Sequence, residues 1–155
     1  MKKSDSLDGL NRQLCLDPLA PRRIGPVYVR GARPALDAAL QRTEAALEAL
    51  APTWSVHRIR GEAFREEAAR RTMDGTAADW IRRLSSGDAL LCADPEELAG
   101  DAGAQPLLCL VLDELRLAGR PVWLFSRWGP EELPFLSPGL AERLDRGTEV
   151  PAEEP

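Results

Sequence analysis

The chain has few of the residues that build metal sites, disulfide frameworks or membrane spans. Its 155 residues include three widely spaced cysteines, one histidine and no CxxC pair, so we expect no metal site. An odd number of scattered cysteines is typical of reduced thiols in the cytoplasm. No apolar run approaches the roughly 18 residues of a membrane span, and the polar start has no signal-peptide core. We therefore expect a cytoplasmic protein with no cofactor and no membrane partner.

Aromatic residues and excess positive charge are also scarce. Phe, Trp and Tyr make up 5 % of the chain, so the core must come mainly from Leu, Val and Ala. The formal net charge is −5, which argues against binding to a nucleic-acid backbone, and we expect no nucleic-acid partner. A small nucleotide remains compatible with this charge, because a local arginine cluster can outweigh a modest global excess.

Strand-like and helix-like segments alternate along the chain. The strand-like segments are 26–31, 54–60, 88–94, 120–126 and 147–150. The helix-like segments are 34–50, 61–71, 77–84, 106–118 and 139–146. Alternation of this kind predicts a parallel sheet with helices on both faces. We expect a three-layer, flavodoxin- or Rossmann-like α/β fold with an open sheet of about five strands in the order 2-1-3-4-5.

The predicted α/β domain spans residues 24–150. Residues 1–23 are polar and rich in proline and arginine near their end, which predicts a flexible leader with at most a short helical turn. Residues 151–155 predict a disordered tail. The apolar run at 106–112 fits either a strand or a buried helix, and we favour the helix because Gly119 is a natural residue to end it.

Two arginines lie where parallel α/β sheets usually bind their ligands, beyond the carboxyl ends of the strands. Arg30 and Arg33 flank the glycine between the first strand and its helix, where free backbone N–H groups can hold a phosphate or carboxylate. The loop matches neither the P-loop nor the GxGxxG pattern, so a solvated turn is the alternative interpretation. The ligand-binding residues that we expect are Arg30, Gly31, Arg33, Asp94, Ser126 and Trp128.

Three carboxylates are candidates for acid–base or nucleophilic chemistry. Asp79 lies early in a helix, and Glu96 and Glu97 follow the third strand, where α/β enzymes often place working groups. Each also has a structural explanation, because acids stabilise helix N-termini and acidic loops are commonly solvated. The sequence leaves open whether the protein is an enzyme, and it favours a protein that is not.

The helix at 106–118 is apolar on more than one side. The sheet of so small a domain can cover one side of it, so we expect a second copy of the chain to cover another. The predicted homodimer interface consists of Leu107, Leu108, Val111, Leu112 and Leu115.

Four segments resemble the nucleoside 2-deoxyribosyltransferase-like superfamily, which includes nucleotide N-glycosidases. They are the strand and glycine at 27–31, the helix and aspartate-led strand at 79–91, the glycine loop at 101–104, and the Leu-Ala-Gly-Arg-Pro-Val run at 117–122. The resemblance implies a nucleotide or nucleoside ligand and a glutamate nucleophile eight residues before Gly119. That position is Val111, so transferase chemistry of the family's kind is not expected.

The sequence therefore predicts a small nucleotide- or nucleoside-binding domain, a degenerate relative of the deoxyribosyltransferases. One alternative is a protein-interaction or oligomerisation module with no small-molecule ligand. Another is an N-glycosyl hydrolase or transferase in which Glu96 or Glu97 replaces the missing nucleophile.

Overall fold

The computed structural model describes residues 2–3, 6–133 and 136–153, which form one parallel sheet flanked by helices. The strands are β1 (Lys2–Lys3), β2 (Val27–Arg30), β3 (Val56–Arg60), β4 (Ala89–Ala93), β5 (Val122–Ser126) and β6 (Thr148–Pro151). The helices are α1 (Leu7–Leu16), α2 (Ala20–Ile24), α3 (Arg33–Leu50), α4 (Gly61–Asp74), α5 (Ala77–Ser85), α6 (Ala104–Leu117) and α7 (Pro138–Asp145). Two short 3-10 helices span Pro95–Leu98 and Pro130–Glu132. Among these helices, none is both long and apolar enough to cross a membrane.

The strands are all parallel and lie in the order β1-β6-β2-β5-β4-β3. This three-layer, open parallel sheet confirms the predicted fold class. The five predicted strands, numbered alone, have the order 2-3-4-1-5, which corrects the expected order 2-1-3-4-5. The first strand lies between the fourth and fifth strands. Right-handed crossovers are compatible with either order, so the handedness rule could not separate them.

Both faces of the sheet are buried, which explains why the central strands are almost continuously apolar. Val27 and Val29 of β2 face helices α1, α2 and α3, whereas Tyr28 faces α4, α5, α6 and α7. Strand β3 lies at the edge of the sheet, and its residues Arg58 and Arg60 are exposed. The alternating pattern of that strand in the sequence reflects this edge position.

Residues 7–24 are folded, which departs from the expected flexible leader. Leu7, Leu10 and Leu14 of α1 are buried at the helical spacing, and Ser6 caps the helix by accepting a hydrogen bond from the N–H of Gly9. The other end also departs from the expected tail, because Ala152 is buried after the last residue of β6. Residues 1, 4–5 and 154–155 of these two segments lie outside the described residues.

Helix α6 is buried by helices of its own chain. Four of the five predicted interface residues expose 5 % or less of their surface, because α4, α5 and α7 pack against α6; they are Leu108, Val111, Leu112 and Leu115. Leu107 is half-buried. The premise that the sheet alone covers this helix is wrong, and most of the predicted homodimer interface belongs to the core of one chain. The strand alternative for 106–112 is also wrong.

Candidate functional site

The ends of neighbouring strands bring polar residues together at one edge of the sheet, which we call the carboxyl edge. Arg30 ends β2, Ser126 ends β5, and Asp94 directly follows β4. Arg33 begins α3 and also reaches this edge. The structure thus gathers predicted ligand residues, and it adds Arg60 at the end of β3, which the sequence reasoning missed. A lone arginine ending an edge strand carries no sequence signal that distinguishes it from a solvated residue.

Asp94 is the buried carboxylate of the carboxyl edge. Its side chain is 4 % exposed, and it accepts hydrogen bonds from Arg33 to Oδ1 at 2.7 Å and from Arg60 to Oδ2 at 3.0 Å. The hydrogen bond to Asp94 raises the pKa of the Arg33 guanidinium. The φ angle of Asp94 is +56°, a left-handed conformation that aspartate tolerates better than most residues. Both arginines therefore already have an anionic partner, supplied by the protein itself.

Arg30 is surrounded by three glutamates. Its guanidinium hydrogen-bonds to Glu132, lies 3.4 Å from a carboxylate oxygen of Glu131, and lies 3.7 Å from one of Glu149. Glu131 and Glu132 belong to the second 3-10 helix, and Glu149 lies in β6. One guanidinium cannot neutralise three carboxylates, so this part of the edge is negative.

The loop between β2 and α3 is short and covered. It consists of Gly31 and Ala32, and a Cβ atom on Gly31 would lie 2.7 Å from the Cβ of Ala152. The N–H of Ala152 donates to the carbonyl oxygen of Arg30 at 2.8 Å, which holds the segment after β6 in place over the loop. The glycine is needed here for close packing of protein against protein.

The three predicted catalytic candidates have separate surroundings. Glu96 accepts a hydrogen bond from the hydroxyl of Ser126 at 2.7 Å. Glu97 has one buried carboxylate oxygen with no hydrogen-bond partner among the described residues. Asp79, on α5, is exposed and pairs with Arg82 at 2.8 Å. The Ser126 hydroxyl that contacts Glu96 is fully buried and also accepts a hydrogen bond from the N–H of Trp128 at 3.1 Å, which ties the loop after β5 to Glu96. Among the described residues, no hydrogen bond joins Glu97 or Asp79 to a serine, threonine or cysteine side chain.

Trp128 lies just after β5, and 47 % of its surface is exposed. The guanidinium carbon of Arg127 lies 5.8 Å from the centre of its ring. The carbonyl oxygen of Trp128 accepts a hydrogen bond from the hydroxyl of Tyr28 at 2.6 Å. Burial raises the pKa of Tyr28, which keeps this hydroxyl protonated and able to donate. The backbone of this loop is fixed, while the tryptophan ring stays accessible.

The residues named at the carboxyl edge carry more negative than positive charge. Three arginines, at 30, 33 and 60, lie with five carboxylates, at 94, 96, 131, 132 and 149, so the difference is −2. This balance disfavours a phosphate, which would be repelled by the excess carboxylates. Within the described ranges, no group of three or more His, Cys, Asp or Glu side chains is placed to hold a metal ion.

Several solved structures of replication initiators share this arrangement of helices and strands. Domain III of the Thermotoga maritima replication initiation protein DnaA matches 94 % of this chain and 60 % of its own, with TM-score 0.82 and 21 % identity. AMPPCP-bound DnaA from Aquifex aeolicus matches 94 % of this chain and 45 % of its own, with TM-score 0.81 and 20 % identity. A DnaA bound to AMPPCP and single-stranded DNA has TM-score 0.80 and 19 % identity over 92 % of this chain and 44 % of its own. The fold is that of DnaA domain III.

At these identities the likeness to DnaA domain III establishes the fold alone. The chain spans about half the length of the DnaA chains that it matches. No protein-family model and no curated protein sequence matches it. The expectation of no nucleic-acid partner gains no support from the fold, since one DnaA structure holds single-stranded DNA.

The resemblance to the nucleoside 2-deoxyribosyltransferase-like superfamily is wrong, because the matching structures are DnaA proteins. The predicted function as a degenerate relative of those transferases is therefore also wrong. The run at 117–122 is a helix end, a glycine at φ +70° and the start of β5, a junction common to parallel α/β folds. Val111, which stands at the expected nucleophile position, is fully buried in α6.

Proposed function

We propose that this chain is a binding domain of the DnaA domain III fold that does not hydrolyse nucleotides and acts in replication initiation through a protein partner. The observation that carries the proposal is the filled carboxyl edge. Ligands of parallel α/β folds bind at this edge, and here the carboxylate of Asp94 lies between the two arginines that would contact a ligand anion.

The connection from β2 to α3 supports the same proposal. A phosphate-binding loop of the GxxxxGK[ST] kind needs several residues whose N–H groups surround the phosphate. This connection has two residues, and Ala152 packs over its glycine. A nucleoside triphosphate would also add several negative charges to an edge that already has an excess of two carboxylates.

The partner that we propose is the replication initiator of the same organism. The support is the fold, since solved DnaA structures share it over more than nine-tenths of this chain. A domain of the same fold that turns over no nucleotide is suited to binding and regulating such an initiator.

The test has two parts, both with the purified full chain. The first measures ATP hydrolysis with magnesium, and we expect no turnover above background; a rate of about 1 s⁻¹, ordinary for an enzyme, would overturn the non-hydrolysing part. The second adds the chain to the initiator and measures complex formation by analytical ultracentrifugation and the initiator's binding to single-stranded DNA. We expect a complex and altered DNA binding, and the absence of both would overturn the proposed partner.

A second candidate function is nucleotide binding at the carboxyl edge without hydrolysis. It is favoured by the exposure of the arginine side chains, 37 % for Arg30, 42 % for Arg33 and 61 % for Arg60. Exposed side chains can exchange a carboxylate for a phosphate at small cost. Two of the solved DnaA structures hold AMPPCP.

The substitution Arg33→Gln separates the two functions. If a nucleotide binds at this edge, the variant should reduce the affinity for ADP about tenfold or more, because a hydrogen bond to a charged group is lost. Under the first proposal, Arg33→Gln leaves any effect of ADP on the melting temperature unchanged. Arg82→Gln, which alters an exposed ion pair on α5, is the matched control.

A further inference from the structure

A cavity lies at the opposite ends of the strands from the carboxyl edge, where β2 and β5 begin. Its volume is about 280 Å³, and its apolar floor includes Leu112 and Val122, each 5 % exposed. Helices α2, α6 and α7 all end at this cavity. Six arginines line it, against a single aspartate, Asp113; the arginines are Arg22, Arg23, Arg116, Arg120, Arg143 and Arg146. We call it the arginine cavity.

Carboxylates neutralise half of these arginines. Asp113 accepts two hydrogen bonds from Arg143, both at 2.8 Å. The other two pairs are exposed: Arg23 lies 3.6 Å from Asp17, and Arg146 lies 2.6 Å from Glu142. The three remaining arginines have no carboxylate partner among the described residues.

Backbone carbonyl oxygens offset part of the positive charge of these three arginines. Arg22 lies 3.5 Å from the carbonyl oxygen of Leu117, and Arg120 hydrogen-bonds to two carbonyl oxygens after α5. Arg116 makes no hydrogen bond or ion pair with the described residues. Each of the three helix ends contributes roughly −0.5 of a charge, about −1.5 together, against three unneutralised arginines. A positive charge of between one and two therefore remains in a chain whose net charge is −5.

From this excess charge and the small volume, we infer that the arginine cavity binds a compact polyanion, the diphosphate group of inorganic pyrophosphate or of a nucleoside diphosphate. Guanidinium groups match phosphate oxygens with paired hydrogen bonds. Pockets for drug-sized ligands run from roughly 300 to 1,000 Å³, so a cavity at the low end suits a diphosphate. Arg116, which is exposed and makes no hydrogen bond with the residues that the structure describes, is the arginine most available to the ligand. The inference does not depend on the proposed function, because the cavity and the carboxyl edge lie at opposite ends of the strands.

The test measures the melting temperature of the full chain with pyrophosphate, ADP or adenosine. At a concentration of about 100 times Kd, we expect pyrophosphate and ADP to raise it by roughly 5–10 °C, and adenosine to leave it unchanged. If ADP binds at least tenfold more tightly than pyrophosphate, the ligand of the cavity is a nucleoside diphosphate. If the two affinities are equal, the ligand is inorganic pyrophosphate. Sodium sulfate at the same ionic strength is the control for screening, and an equal shift with sulfate would overturn the inference.

Variants then locate the site. Arg116→Gln should weaken pyrophosphate binding about tenfold or more, because a charged hydrogen-bond donor is lost. It should not impair folding, since the side chain is exposed and makes no hydrogen bond with the described residues. Arg82→Gln on α5 and Arg33→Gln at the carboxyl edge should leave it unchanged. Loss of binding in Arg33→Gln but not in Arg116→Gln would place the anion at the carboxyl edge and overturn the inference. A single-stranded oligonucleotide that binds while pyrophosphate does not would overturn it as well.

Asp113→Asn provides a variant with the opposite effect. Removing this carboxylate releases Arg143 toward the cavity, so we expect pyrophosphate to bind several-fold more tightly. Unchanged or weaker binding in this variant, with the folded state verified by circular dichroism, would contradict the role of the cavity arginines.

Discussion

Replacing Asp94 tests whether the carboxyl edge is held together by its own ion pairs. Asp94→Ala removes the acceptor of two charge-assisted hydrogen bonds, from Arg33 and Arg60. Such bonds contribute about 1.5–3 kcal/mol each when protected from water. Both arginines are substantially exposed, so we take roughly 1 kcal/mol for each bond. An alanine at φ +56° adds about 1 kcal/mol of backbone strain, and the expected cost is about 3 kcal/mol in total.

Asp94→Asn separates the two contributions. Asparagine tolerates the left-handed conformation and keeps one acceptor oxygen, so it should cost only about 1–2 kcal/mol. In a protein of this size 1 kcal/mol corresponds to about 2–4 °C, which gives a melting temperature lower by roughly 6–12 °C for the alanine variant and about 2–8 °C for the asparagine variant.

The assay is thermal and urea unfolding followed by circular dichroism, with Asp79→Ala as the control. Asp79 has an exposed ion pair with Arg82, and its replacement should cost less than about 1 kcal/mol. If Asp94→Ala costs no more than this control, the pairing at the carboxyl edge is an ordinary surface interaction and our reasoning about a filled ligand position is refuted.

Three further predictions concern other parts of the fold. Gly61→Ala should destabilise the protein by about 1–3 kcal/mol in urea unfolding, because its Cβ would lie 2.0 Å from a backbone carbonyl oxygen; a neutral effect would contradict this packing. Leu108→Asp should abolish folding, whereas Leu110→Asp, at an exposed position of the same helix, should leave circular dichroism unchanged; a folded Leu108→Asp monomer would restore the interface hypothesis. Arg143 lowers the pKa of Asp113, chiefly by hydrogen bonding. The ion pair therefore stabilises the folded state fully at pH values above the unfolded pKa of about 3.9. This stabilisation is lost as the pH falls through the lower pKa that Asp113 has in the folded state. The difference in melting temperature between wild type and Asp113→Asn should therefore begin to shrink as pH falls below about 4 and vanish only below the folded pKa of Asp113; a difference that is constant with pH would refute the assignment.

The periodic segments of the sequence predicted most of the helices and strands, because the hydrophobic patterns there agree with local propensity. Helix α3 and strand β4 lie within one or two residues of the predicted ranges. Strand order could not be predicted, since it depends on which strand edges meet across long stretches of chain. Val27 lies beside Trp123 and Thr148, and no local feature of these residues indicates the pairing.

The segment before residue 24 shows a different limit of sequence reasoning. Leu7, Leu10 and Leu14 form a short apolar stripe, but polar neighbours obscured it. Asn11, one of those polar residues, is buried: it donates to Thr43 and accepts from the indole N–H of Trp123. A polar residue satisfied by partners 32 and 112 positions away is indistinguishable in sequence from a solvated one.

The sequence predicted that the candidate residues would lie together at the carboxyl ends of the strands, but it did not predict the excess of carboxylates around them. Positions at the carboxyl ends of the strands follow from the fold class, so Arg30, Asp94 and Ser126 were identified together. The glutamates at 131 and 132 reach Arg30 through a 3-10 helix whose path the sequence does not specify. The arginine cavity was missed for a related reason, since its six arginines are spread over four separate segments of the chain.

The position of β2 in the sheet has a consequence for how the chain folds as it is made. This strand receives its neighbours β5 and β6 only from the last third of the chain, and Thr148 further ties the start of β2 through a hydrogen bond to the carbonyl oxygen of Ile24. During synthesis the apolar strand Val27–Arg30 therefore has both of its edges unpaired until β5 and β6 have also left the ribosome. Contacts of such long range slow folding and leave strand edges open to aggregation. Strand β6 thus completes the sheet beside β2.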